Sequence, residues 1–162
     1  MTTVTATSIK PCLVFRDRGA EAIKLYISVF KNSKIHNLDL SDGTGPIEKG
    51  KLMNGSFELD GQEFVAFDGG EPFSFSEGFS IMVTCETQED IDHAWAKPTE
   101  NGGEESPCGW LKDPFGVSWQ IIPSELGRML TDSKFGNSAA ATQAMLRMNK
   151  LELAALGRAY RG

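Results

Sequence analysis

The sequence is short of the features that mark several large protein classes. Cysteine is scarce. Cys12, Cys85 and Cys108 are an odd three with no CxxC pair, which fits a reducing cytoplasm better than a disulfide framework. Basic residues are outnumbered, 16 Lys and Arg against 22 Asp and Glu, so the formal net charge is −6. Nucleic acid and anionic membranes select basic patches, and neither is expected as a partner. No apolar run reaches the length that crosses a bilayer. The opening "MTTVTATSIK" lacks the basic region and long apolar core of a signal peptide. A glycine-rich turn between a strand and a helix, the usual seat of a methyl donor such as S-adenosylmethionine, is missing as well. "FDGGEPF" has paired glycines but follows a hairpin and precedes no helical pattern. No cofactor is expected on these grounds.

What is present is a chain of 162 residues, 40% hydrophobic and 23% charged, enough for one globular domain with a buried core, with or without an appendage. "IKPCLVF" (9–15) reads as a strand, and "GAEAIKLYISVF" carries apolar residues at helical spacing. "KIHNLDL" predicts the next strand. Residues 51–59 and 62–67 flank Asp60-Gly61, a strong hairpin signal between two alternating runs. The order then recurs. "FSIMVTC" (79–85) predicts a strand, and "TQEDIDHAWAK" a helix with Thr87 as N-cap. The Gly/Pro-rich segment 98–109 leaves room for one short strand. "WLKDPFGVSWQIIP" (110–123) closes as a hairpin turning at "DPFG".

Placing Leu25-Tyr26 on Ala94-Trp95 sets Pro11 on Ser80, and placing Gly61 on Gly116 sets Val65 on Gln120. The repeat has the form βαβββ, too divergent to show as residue identity. One helix cannot cover both faces of such a unit, so two units are expected to share a curved mixed sheet, helices outside and a cupped cavity on the other side. The fold class is α+β. Module one spans 8–68 and module two 78–123 of a domain over 1–123, and 124–162 is a helical C-terminal extension.

On these segments the chain resembles the vicinal oxygen chelate superfamily, which includes glyoxalase I, extradiol dioxygenases and bleomycin-resistance proteins. "NGSFELDGQEFVAFDGG", "FSIMVTCETQEDIDHAW" and "PCGWLKDPFGVSWQIIP" are similar to its PhnB-like group, also described as 3-demethylubiquinone-9 3-methyltransferase-like. The resemblance covers roughly residues 8–123. Pro98 departs from it and is expected to shorten the second helix. The resemblance implies metal ligands on the first and last strand of each module. Those places fall on Pro11, Val65, Ser80 and Gln120, two of which cannot ligate and two of which are weak neutral donors. His36 and His93 come from another strand and from a helix. No metal is expected.

Gln120 then needs another role. Strand alternation separates it from Trp119; with Trp119 under the helices, Gln120 points into the cup, where it can orient a neutral polar ligand or find a structural partner. The same phase brings Leu13, Phe15, Glu63, Val65, Phe67, Ser80, Met82, Thr84, Ser118 and Ile122 to that face, with Phe15, Val65, Phe67, Ser80, Met82, Ser118 and Gln120 as the expected ligand-binding residues. Cys12 and Cys85 are expected in the core. Glu63 and Cys108 are the candidates for catalysis, as a base or a thiol. The expected partner is an unidentified small molecule. Three functions stay open: sequestration of that molecule, a metal-independent isomerase or lyase, or a scaffold. The tail has a broken apolar stripe, Met145, Met148, Leu153, Leu156 and Tyr160, that needs a surface to cover it. Relatives are commonly dimers, and a homodimer with this extension at its interface is expected.

Overall fold

Each half of the repeat builds its own four-stranded mixed sheet in a computed structural model that describes Thr3 and residues 5–162. The chain divides between Ser74 and Phe75 into two compact units. The first holds β1 (Cys12–Phe15), α1 (Gly19–Val29), β2 (Lys34–Leu40), β3 (Leu52–Leu59) and β4 (Gln62–Asp68). Its strand order is β1-β4-β3-β2. The second holds β5 (Ser80–Cys85), α2 (Gln88–Thr99), β6 (Glu104–Glu105), β7 (Trp110–Lys112) and β8 (Ser118–Pro123), in the order β5-β8-β7-β6. The first and last strands of each module run parallel and the other pairs antiparallel. The paired βαβββ plan is therefore realised as two sheets of identical order. No ladder among the described residues joins one to the other.

The turns follow from the residues at them. Asp60 (φ 44°) and Gly61 (φ 83°) are both left-handed, the conformation a two-residue hairpin needs to match strand twist. At "DPFG" the Asp113 carboxylate does the work. It accepts from the N–H of Phe115 (2.9 Å) and Val117 (3.0 Å) and from Trp119 Nε1 (2.9 Å), so a buried charge is held by three donors. Thr87 caps α2 by accepting from Asp90 N (3.1 Å). α1 has no such residue of its own. Asp68, at the end of β4, supplies the carboxylate instead and accepts from Gly19 N and Leu52 N, both at 2.8 Å. A Cβ on Gly19 would stand 2.8 Å from that oxygen, which is why the helix opens on glycine.

The phase of each sheet is fixed by what its helix covers. Tyr26 of α1 meets Phe57, and Phe57 stacks on Phe64 with ring centroids 5.3 Å apart. Ala66 follows Phe64 on the same face and lies opposite Leu13, so Leu13 and Phe15 belong to the core beneath α1, where both are buried. In the second unit α2 packs on β7 and β8, burying Ile91, Ala94 and Trp95 with Leu111, Trp119 and Ile121. Each fully buried side chain of this size contributes roughly 1.5–3 kcal/mol. Pro98 does not stop α2, which runs to Thr99. The proline sits in the last turn, where only its own missing N–H is lost, and Thr99 Oγ1 donates back to Trp95 O (2.8 Å).

Residues 124–162 fold onto the second unit. They form α3 (Leu126–Thr131), α4 (Ser138–Met145) and α5 (Leu153–Arg161) around a small core of Leu126, Met129, Ala141, Leu151, Leu156 and Tyr160. The apolar stripe read in the sequence finds a surface within its own chain: Leu156 and Tyr160 are buried, and Met145 and Met148 pack at the edge.

Candidate functional site

The face of each sheet turned away from its helix is the place to look for binding chemistry. In the second unit, parallel pairing sets Ser80 opposite Ser118, Met82 opposite Gln120 and Thr84 opposite Ile122. The hairpin sets Trp110 opposite Gln120 on the other side. A row of thioether, amide and indole therefore crosses the open face in register, Met82–Gln120–Trp110. Gln120 is half-buried, and its Nε2 donates to Ser80 Oγ at 2.8 Å. That bond uses one N–H. The second N–H, the amide carbonyl and the serine proton supply donors and an acceptor of no net charge. Met82 is 61% exposed, an apolar residue presented at mid-strand. Ser118 is buried behind the row. Lys112, on the rim, is bound by Glu77 at 2.6 Å, which raises its pKa.

The corresponding face of the first unit differs. Cys12 lies opposite Val65 and Val14 opposite Phe67. Lys10 Nζ pairs with Glu63 (3.0 Å), and Glu58 accepts both Lys34 (3.4 Å) and His36 (3.2 Å). Val65 and Phe67 stand on the open face as expected. Phe15 does not: it is fully buried under α1 and cannot touch a ligand in the cup. Cys12 is the converse, exposed on the open face rather than in the core, although partial burial still raises its thiol pKa. Both corrections have one cause. Three residues, 16–18, connect β1 to α1, whereas only Glu86 and Thr87 connect β5 to α2. Superposing the helices by sequence therefore slips the first strands by one residue, and a one-residue slip exchanges the faces. The true counterpart of Ser80 is Lys10, not Pro11.

The catalytic candidates fare differently from the pocket residues. Glu63 is exposed, and Lys10 beside it holds its carboxyl below the usual carboxylate range, the opposite of what a base poised near neutrality needs. Cys108 sits half-buried in a loop with φ 64°, its N–H donating to Met148 O (2.7 Å). Cys85 is buried as expected, its thiol pushed up to about 11 chiefly by that burial. Trp110 was missed. Counting back across the 113–116 turn from Gln120 would have found it, because hairpin register follows from turn length.

A transition-metal centre does not fit these residues. The register leaves Lys10, Val65, Ser80 and Gln120 at the ligand places, and among the described residues no three His, Cys, Asp or Glu side chains converge. Lys10 is engaged by Glu63, valine has no donor, and the serine and amide are already bonded to each other.

The protein-family model described as 3-demethylubiquinone-9 3-methyltransferase matches residues 7–122. The chain belongs to this PhnB-like family. A solved Bacillus cereus protein, described as a putative 3-demethylubiquinone-9 3-methyltransferase and PhnB protein, is 33% identical, with a TM-score of 0.68 over 73% of this chain and 100% of its own. A Pseudomonas aeruginosa protein is 20% identical over 73% and 98%, with a TM-score of 0.59. The fosfomycin resistance protein FosX from Listeria monocytogenes, solved with Mn(II) and a dihydroxypropylphosphonic acid, is 12% identical over 78% and 100%, with a TM-score of 0.55. The last two share the fold, that of the glyoxalase and bleomycin or fosfomycin resistance proteins. A search of curated protein sequences returns no match.

The paired glycines of "FDGGEPF" do not form a methyl-donor turn in this PhnB-like chain. Gly69 N donates to Phe15 O (2.7 Å) and Gly70 N to Arg16 O (3.1 Å). The paired glycines thus spend their amides on the main chain, and no helix follows them before β5. They offer no cradle to a methyl donor. No helix among the described residues is long and apolar enough to cross a membrane.

Proposed function

We propose that this PhnB-like protein binds a small uncharged polar molecule on the open face of its second sheet, without a metal ion, and holds it rather than transforming it. The observation that carries this reading is the Ser80–Gln120 pair. It lies where relatives place metal ligands, yet it is neutral, internally bonded and flanked by the apolar Met82 and Trp110. Apolar walls around a few orienting polar groups are what small-molecule sites need. The nearby cation, Lys112, is neutralised by Glu77, which favours a ligand of no net charge. Turnover by a metal-independent isomerase or lyase would need a perturbed acid, base or thiol on that face, and none of Ser80, Met82, Ser118 and Gln120 is one.

The direct test is native mass spectrometry of protein purified without a tag, followed by titration with short primary amides. A retained or titrated neutral compound whose affinity falls in Gln120→Leu supports the reading. Stoichiometric Zn, Ni, Mn or Fe by elemental analysis overturns its metal-free part, and steady consumption of the compound overturns sequestration.

Two further expectations belong to this reading. Phe135 and Leu146, exposed on the extension, favour a homodimer that uses it, and sedimentation at micromolar concentration as a single chain would refute that. Three free thiols favour a reducing, cytoplasmic setting.

A further inference from the structure

Ile122 is the next open-face residue of β8 after Gln120, about 7 Å further along the strand. It is also a point at which the C-terminal extension meets that sheet. Its side chain packs against the extension's core, with Met145 and Met148 half-buried at the same cluster. Ile122 Cδ1 and Leu151 Cδ1 converge over Gly109, each about 3 Å from where a Cβ on that glycine would stand, at 3.1 and 3.0 Å.

The extension is fixed there by main-chain bonds rather than by apolar contact alone. Cys108 N donates to Met148 O (2.7 Å) and Gly109 N to Asn149 O (2.8 Å). Gln88, at the start of α2, grips the same segment from the other side. Its Nε2 donates to Leu151 O (3.2 Å), and its Oε1 accepts from Leu153 N (2.8 Å). Lys150 pairs with Asp92. The family model ends at residue 122, and 73% of this chain covers the whole Bacillus cereus relative. The extension is thus an addition to what the family shares, seated one residue repeat from the Gln120 row.

Resting on the neutral-ligand reading above, we infer that the C-terminal extension is the end wall of the ligand face. It closes the direction beyond Gln120 at Ile122 and limits the length of the ligand. Any chain attached to a group bonded at Gln120 and running along β8 meets Ile122 first and the extension behind it. Methionine beside Ile122 in that cluster suits this role, because its flexible thioether can repack for ligands of differing shape. The ligand class follows: a molecule with an amide-like donor and acceptor and an apolar part only a few carbons long.

The experiment uses the full chain labelled with 13C at the methionine methyls and titrated with straight-chain primary amides from acetamide to octanamide. Affinity should rise about fourfold per methylene while the chain buries apolar surface, then level off. Met82 should shift with every amide that binds. Met145 and Met148 should begin to shift at the length where affinity levels off. In the Met145→Ala/Met148→Ala double variant the levelling should move to longer amides by at least one methylene. If Met82 stays silent with every amide, the neutral-ligand reading fails, and this inference with it. If Met82 responds while Met145 and Met148 never do, and affinity still rises at octanamide, the end wall alone is refuted. The wild-type shifts decide the matter even where the double variant folds poorly.

Discussion

The two modules share one strand order, yet they put different chemistry on their open faces. At the same place the first has a Lys10–Glu63 ion pair and the second has the serines Ser80 and Ser118. One residue pair along, the first has Cys12 opposite Val65 and the second Met82 opposite Gln120. An exposed ion pair is well solvated and gives little to a neutral ligand. A half-buried amide already held by a serine has its orientation set before a ligand arrives, which lowers the entropy a ligand must forfeit. A repeated backbone can therefore confine recognition to one copy while the other keeps a solvated surface.

The largest effects should come from the carboxylates that tie each module together. Asp113→Ala strands three N–H groups, two of them buried with Trp119 and Val117. At about 1–3 kcal/mol for each unsatisfied buried donor, the loss should be roughly 3–5 kcal/mol. Asp68→Ala strands two part-buried donors and should cost about 2–3 kcal/mol. Urea unfolding of both variants measures the difference. Equal losses would mean that the first module leans on its carboxylate as heavily as the second.

Next in size is Gln120→Leu. It should weaken amide binding by about 1–2 kcal/mol, the scale of one buried hydrogen bond. Stability should change little, because the bond it breaks is to a serine that can turn to water. A lower melting temperature with unchanged affinity would make Gln120 a structural amide, and the contrast between the modules would lose its functional meaning.

Much of this was legible in the sequence because several signals agreed. Asp-Gly between alternating runs, Thr87 before two acidic residues, and apolar spacing at 3.6 and at 2 each pointed to the same element order. The phase of β8 was legible because Trp119 and Gln120 differ sharply in character. The phase of β1 was not. "CLVF" is apolar on both faces, so alternation cannot say which side is in, and the extra residue in the β1–α1 connection then carried Phe15 to the wrong face. Two features were beyond local reading altogether. Asp68 caps a helix that begins 49 residues earlier, and the extension's main chain bonds to the Gln88 side chain and to the main chain at 108–109. Such pairings carry no sequence period.

The cysteines sharpen the contrast at smaller amplitude. Cys12 is exposed on the first module's open face and Cys85 is buried in the second module, so an aromatic disulfide reagent at pH 8 should modify Cys12 many times faster. Burial raises the Cys85 thiol from 9.0 to about 11. The folded state therefore keeps its proton where the unfolded chain loses it. Stability from this source is present below pH 9 and is lost as pH rises towards 11. Cys85→Ala should flatten that part of the alkaline melting curve relative to wild type. Identical slopes between pH 9 and 11 would show that the thiol does not titrate on unfolding.

The smallest effect belongs to Glu63, the first module's counterpart of Ser118. Its carboxyl is held below the usual 4.5 by Lys10, with His36 and Lys34 adding to the shift. A lowered folded pKa gives stability that is present above pH 4.5 and lost as pH falls through the folded value. Because both side chains are substantially exposed, water and salt screen the pair, and its contribution is small even where it is complete. Glu63→Gln should therefore leave the melting temperature at pH 7 nearly unchanged, and should bring the two acid limbs together below pH 4.5. Amide affinity should be the same in both proteins, since the ion pair is not on the second module's face. A large loss of binding, or a pH dependence of binding that vanishes in the variant, would place Glu63 in the recognition chemistry and end the division of labour between the modules.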